Sequence, residues 1–184
     1  MISFFRSLFI LLLLFSSHFA CGDNVFSYSK HEVIAHRVSA DVAKTLSKRY
    51  QMELVGFGGA IHEDVEKLSL SFNCYRTMNM AEYRNLIVQS AEFFLSEVNS
   101  NEELKPFLHN YPFDSNHIDL AIYVFSEDRQ RLKVGQLSCV HLIKGKISYS
   151  IRDTEHTVKP MQAEDYESAK QLVLEIANKG DGPI

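Results

Sequence analysis

Cys139 and His141 are the residues whose types and spacing come nearest to a catalytic pair. They are two apart in a segment, 134–143, that predicts a strand, so both side chains lie on one face of it. A thiol beside an imidazole base is the arrangement of a nucleophilic cysteine in a hydrolase. However, strand neighbours at this spacing are too far apart for a direct hydrogen bond, and Leu137 and Ile143 make the same face otherwise apolar. We interpret Cys139 as a structural cysteine, with a small hydrolase that uses a Cys- or His-based site as the alternative.

The chain has three cysteines, and two of them are candidates for a disulfide. Cys21 belongs to an export region described below, which leaves Cys74 and Cys139. These two could pair in an oxidising compartment, provided that their strand faces point at the same core. Two buried free thiols are the other interpretation, because a chain of 184 residues can bury a core without a disulfide.

Motifs for metal, phosphate and acyl chemistry are missing. No two of the seven histidines after residue 22 have the i, i+4 spacing of a helical metal site, and no HExxH occurs. The glycines of GFGG at 56–59 follow a strand pattern and are interpreted as part of a hairpin connection. Ile61 stands where a dinucleotide fingerprint needs a third glycine, and neither a P-loop nor a Gly-x-Ser-x-Gly elbow is present. We expect no metal and no cofactor.

An aromatic hook, defined as residues 107–113 with the sequence FLHNYPF, follows the longest helical pattern. Its aromatic members are Phe107, Tyr111 and Phe113. The first interpretation is that they pin the end of the helix onto a sheet. The functional alternative is an exposed aromatic ledge for a partner or ligand, extended by Tyr123 and Phe125.

Residues 1–22 predict a secretory signal peptide. One positive side chain, Arg6, precedes an uninterrupted apolar run over 8–15, and small and polar residues follow. The run is shorter than the roughly 20 apolar residues of a membrane-spanning helix. A retained N-terminal anchor is the alternative.

The cleavage position has two interpretations. The small residues Ala20, Cys21 and Gly22 favour a cut after Gly22 by a general signal peptidase. Cys21 directly after Ala20 also resembles a bacterial lipoprotein box, in which Cys21 would be lipidated and become the mature N-terminus. His18 and Phe19 depart from the residues usual in that box.

The charge balance indicates which partners to expect. Removal of residues 1–22 takes away Arg6 and leaves 18 basic and 23 acidic side chains, a net charge of −5. A nucleic-acid binder would show a basic face, so no nucleic-acid partner is expected. The partner is an unidentified protein or small ligand, and membrane contact would come only through the signal peptide or a lipid on Cys21.

The periodicities after the signal peptide predict three helices and five strands. Helical spacing covers 31–50, 79–98 and 164–178, and strand patterns cover 52–57, 68–75, 118–125, 134–143 and 147–151. For the second helix, Asn79 is the expected N-cap and Glu82 completes a capping box.

These elements predict an α+β fold in the order α-β-β-α-β-β-β-α. The expected architecture is a two-layer sandwich, in which helices pack on a mainly antiparallel sheet of about five strands. A flexible lead-in over 23–30 precedes a single domain over 31–180, and a tail over 181–184 follows it.

Three stretches resemble an uncharacterised family of small exported bacterial proteins. They are SLSF at 69–72, the helix that ends NSNEELKPFLHNYPF at 99–113, and a closing Glu-x-Tyr-Glu helix. The resemblance covers most of the mature chain and implies export and a single domain. Because that family has no assigned catalytic residues, it implies no site.

The sequence therefore favours an exported, non-enzymatic domain that acts by binding, in the bacterial cell envelope or after secretion. The hydrolase is one alternative, and a lipid-tethered envelope lipoprotein is the other.

Overall fold

A computed structural model describes residues 28–178 of the chain. The predicted signal peptide, Cys21 and the predicted tail 181–184 lie outside the described residues, as do residues 23–27 of the lead-in. Within the described part, the helices are α1 (Lys30–Tyr50), α2 (Met80–Ser100) and α3 (Tyr166–Asn178), with a 3₁₀ turn at Lys105–Phe107. The strands are β1 (Met52–Ile61), β2 (Val65–Cys74), β3 (Ile118–Val124), β4 (Leu137–Ile143), β5 (Lys146–Arg152) and β6 (Val158–Asp165).

The strands form one sheet in the order β1-β2-β3-β4-β5-β6. Only the β2–β3 pair among them is parallel, because α2 carries the chain back across the sheet between these two strands. The α+β class and the order of the predicted elements are confirmed. The sheet has six strands, where about five were predicted.

The missed strand is β6, an edge strand without the alternation that reveals a half-buried strand. All of its residues except Glu164 are exposed, and Pro160 lies opposite Ser150 at a shift in register. A proline is tolerated there because an edge strand has one side without ladder hydrogen bonds. Since β6 runs to Asp165, α3 begins at Tyr166, two residues later than predicted.

The hydrophobic stripe of α2 explains how the two layers meet. All six of its predicted core-facing residues are buried: Tyr83, Leu86, Ile87, Ala91, Phe94 and Val98. The capping box is also present, since the Asn79 side chain accepts from the Glu82 backbone N–H, and the Glu82 carboxylate accepts from the Asn79 N–H. Ser29 and Glu32 form a second capping box at the start of α1, which the sequence reading missed.

The β1–β2 hairpin differs from its prediction in where it turns. The turn consists of residues 62–64, and the glycines at 56–59 lie inside β1 rather than in the connection. Gly59 pairs with Leu68 of β2 and has the backbone of that strand directly against it.

The two faces of the sheet have opposite character. One face lies beneath the helices and carries the apolar core, for example the cross-strand row Phe72, Ile122, Val140 and Tyr149. The other face, which we call the helix-free face, carries small and polar residues. Two of its rows are Ser71, Ala121, His141 and Ser148, and Asn73, Tyr123, Cys139 and Ser150.

A polar network links α2 and α3 to the sheet. The Glu164 carboxylate accepts from Arg84 Nε at 2.8 Å and from the Tyr149 hydroxyl at 2.5 Å. Similarly, Glu92 accepts from the Tyr166 hydroxyl at 2.5 Å. Both tyrosines are buried, so these carboxylates supply the hydrogen bonds that their hydroxyl groups need in the core.

Candidate functional site

A groove of about 300 Å³ opens on the helix-free face, and we call it the sheet groove. Its floor comes from β3 and β4, and its walls come from the end of β5, the start of β6 and the loops at 125–136 and 153–157. The residues that matter for its chemistry are Tyr123, Arg131, Cys139, His141, Arg152 and Glu155.

Cys139 and His141 lie side by side on one face of β4, as predicted, but that face is the helix-free one. Their cross-strand neighbours are Tyr123 and Ala121 of β3. Leu137 does not share the face, because a register shift separates it from Cys139 and it packs against the core. The expectation of an otherwise apolar face was therefore wrong.

The protonation of the Cys139 thiol does not suit nucleophilic catalysis. Burial raises the pKa of the Cys139 thiol to about 11, so it is protonated at neutral pH. Burial also lowers the pKa of His141, although the Asp119 carboxylate acts in the opposite direction. His141 Nδ1 is buried and has no hydrogen-bond partner among residues 28–178, so Cys139 does not bond to it.

The proposed disulfide is contradicted by the arrangement of the strands. Cys74 lies opposite Val124 and points into the core, whereas Cys139 lies opposite Tyr123 and points to the helix-free face. Strand β3 separates them, and both are free thiols. Bridged cysteines need Cβ atoms within about 4.5 Å and directed at each other, which opposite faces of a sheet do not allow.

We expect Cys139 to react slowly with a thiol reagent while the protein is folded. A rise in pKa from 9.0 to about 11 lowers the thiolate fraction near neutral pH by about 100-fold. The measurement is the rate of reaction with an aromatic disulfide reagent at pH 7.5, with and without denaturant. Cys139→Ser identifies its share of the signal, and rapid modification of Cys139 in the folded protein would contradict the expectation.

Two arginines border the sheet groove and converge on one backbone oxygen. Arg131 Nη1 donates to the Glu155 carbonyl oxygen at 3.3 Å, and Arg152 Nη2 donates to the same atom. Neither guanidinium has a carboxylate within 4.0 Å among residues 28–178. The nearby Asp153 is already paired with Lys159 at 2.7 Å.

An ion pair between β2 and β3 lies on the same helix-free face as His141. Lys67 Nζ and Asp119 Oδ2 form an ion pair at 3.3 Å. The other carboxylate oxygen, Asp119 Oδ1, is buried without a hydrogen-bond partner in the described part of the chain. Unsatisfied buried polar atoms are rare in folded proteins, and two of those found here, on Asp119 and His141, belong to this one face.

The aromatic hook does not form an exposed ledge. Phe113 is only 3% exposed, and the Asn99 side chain holds its backbone, accepting from its N–H at 2.7 Å and donating to its carbonyl at 2.9 Å. Phe107 is half-buried, and Tyr111 is exposed. The ledge interpretation is therefore wrong for Phe113, which belongs to the core.

The extension proposed for that ledge lies elsewhere. Tyr123, which is 40% exposed, and the half-buried Phe125 line the sheet groove. Arg131 and Arg152 were missed as site residues because each stands in a polar stretch with no motif around it. Only the pairing of β4 with β5 and the fold of the two loops brings them together.

Two general properties of the described region bear on function. Within 28–178, no three His, Cys, Asp or Glu side chains are grouped so that they could hold a metal ion. None of the helices in this region has the length and apolar character needed to cross a membrane.

Comparison with known proteins gave no relative. No protein-family model, no curated protein and no solved structure matches the chain.

Proposed function

We propose that this chain is an exported, non-enzymatic bacterial binding domain of the cell envelope or secreted fraction, and that the sheet groove is its ligand site. The observation that carries the proposal is the groove itself, because polar and charged side chains converge there without partners for all their hydrogen bonds. Concave sites with a few placed polar groups on a rigid scaffold are the usual form of small-molecule sites.

The protonation of the groove residues supports binding over catalysis. A hydrolase at Cys139 would need a thiolate and a base in contact with it. Burial of Cys139 opposes the thiolate, and His141 Nδ1 has no hydrogen-bond partner among residues 28–178, so it is not in contact with the thiol. The weaker alternative remains a hydrolase in which His141 alone acts as a base.

The binding proposal is tested by amide NMR of the mature protein titrated with a fragment set that contains small organic acids, amines and alcohols. We expect at least one fragment class to shift the amides of residues 139–143 and 152–158, while amides of α1 stay unchanged. A fragment set that leaves the groove amides unshifted would overturn the proposal.

Export is tested separately by the intact mass of the protein isolated from its native cell. A chain that begins at Asp23 would support a soluble exported protein. A diacylated or triacylated chain that begins at Cys21 would support the lipid-tethered alternative, in which the domain acts at a membrane surface. A mass that retains residues 1–22 would contradict export with cleavage.

A further inference from the structure

Arg131 and Arg152, the two arginines at the sheet groove, form no ion pair with a carboxylate among residues 28–178. Arg129 stands in the same loop as Arg131 and shows the ordinary arrangement, with its guanidinium 3.0 Å from the Glu53 carboxylate and stacked over Tyr75. Arg131 and Arg152 instead share the neutral carbonyl oxygen of Glu155. Their positive charges therefore remain uncompensated by an ion pair within the described residues.

The geometry leaves both guanidinium groups able to bind a further acceptor. Each has five N–H donors, and the contact with Glu155 uses one nitrogen of each group. Two such groups directed at one point form a fork that suits the paired oxygens of a carboxylate or phosphate. Glu155 also lines the groove. Even if its negative charge is counted in full, the two arginines leave one excess positive charge there.

The remainder of the groove is suited to an apolar group. Tyr123 presents an aromatic ring that is 40% exposed, and Val158, which is 56% exposed, lies opposite Arg152 at the start of β6. The buried residues Leu132 and Cys139 also line the groove. A volume of about 300 Å³ lies at the lower end of the range for small-molecule pockets.

We infer that the sheet groove binds a small organic anion, with its carboxylate or phosphate group held by Arg131 and Arg152 and its apolar body against Tyr123. This inference rests on the proposed binding function and names its ligand class. The mature chain, with a net charge of −5, repels anions at long range, so recognition depends on these local contacts.

The test is an amide NMR titration of the mature protein with three probes of similar shape: benzoate, phenyl phosphate and neutral benzyl alcohol. We expect the two anions to shift the amides of 139–143 and 152–158, and benzyl alcohol to bind at least about tenfold more weakly, because charge-assisted hydrogen bonds contribute most of the affinity. Arg131→Gln and Arg152→Gln should each weaken benzoate binding by about tenfold.

Arg129→Gln is the matched control, since it removes the same charge from the same loop but from a guanidinium already paired with Glu53. It should leave benzoate binding unchanged. Arg131 is exposed in a loop, so its substitution tests binding without disturbing the core.

The possible failures separate the two proposals. If benzyl alcohol binds in the groove as tightly as benzoate, or if Arg131→Gln and Arg152→Gln do not weaken benzoate, the anion inference is overturned while ligand binding in the groove stands. If neither these probes nor the wider fragment set shifts the groove amides, the proposed function itself is overturned.

Discussion

Replacement of Phe113 with alanine is expected to lower the free energy of unfolding by about 3–5 kcal/mol. The side chain is 3% exposed, belongs to the main core cluster, and stacks on His117 with ring centroids 4.9 Å apart. Its removal would leave a cavity that the Asn99 clamp on its backbone prevents from closing. Urea unfolding followed by circular dichroism measures the change.

Tyr111→Ala is the matched control from the same hook. Tyr111 is 50% exposed, and the Lys105 ammonium lies 4.6 Å from the centroid of its ring. Loss of an exposed cation–π contact should change the stability by less than about 1 kcal/mol. Equal losses for the two variants, or a small loss for Phe113→Ala, would show that the hook does not anchor the end of α2.

Replacement of Gly59 with alanine is expected to lower the free energy of unfolding by about 2–3 kcal/mol. An added Cβ would lie 2.0 Å from the backbone carbonyl oxygen of Lys67, so β1 and β2 would have to separate locally. Because the obstacle is backbone in a paired strand rather than the end of a flexible side chain, little local adjustment is available. The midpoint of chemical denaturation measures the effect.

Gly58→Ala serves as the control one residue away in the same strand. A Cβ at Gly58 would meet nothing within 4 Å. Its stability should stay the same or rise by up to about 1 kcal/mol, because alanine restricts the unfolded chain. If both variants were equally stable, close approach of β2 would not be the reason for a glycine at position 59.

The elements that could be predicted from the sequence are those with strong periodicity. The α2 stripe and its Asn79 cap were predicted correctly because a helix on a core leaves apolar residues at fixed spacing. β6 was missed because an exposed edge strand has no buried face to produce alternation, and Pro160 argued against a strand.

The face on which Cys139 lies could not be predicted from the strand pattern alone. β4 has apolar residues on both faces, and a register shift between Leu137 and Cys139 places Leu137 on the core side rather than beside Cys139. The sequence pattern therefore predicted the strand, but it could not show that Leu137 lies on the opposite face from Cys139.

The sheet groove was not predictable because its charged residues come from separate polar stretches. Arg131 follows a charged turn after β3, and Arg152 ends β5 before another polar turn. Neither stretch contains a motif. They come together because the loops at 125–136 and 153–157 fold over the same end of the sheet. The spacing of apolar residues carries no information about such loop conformations.

The parallel pairing of β2 with β3 has a consequence for the order in which the chain can fold. Leu68 pairs with Ile118, so this pair can form only once the intervening chain, which contains all of α2 and the hook, is available. Such non-local closure is entropically demanding and slows folding. Until residues 118–124 arrive, the β1–β2 hairpin has an open inner edge and an incompletely covered apolar row. A chain that emerges from the ribosome N-terminus first would thus complete its core only after most of its length has been made.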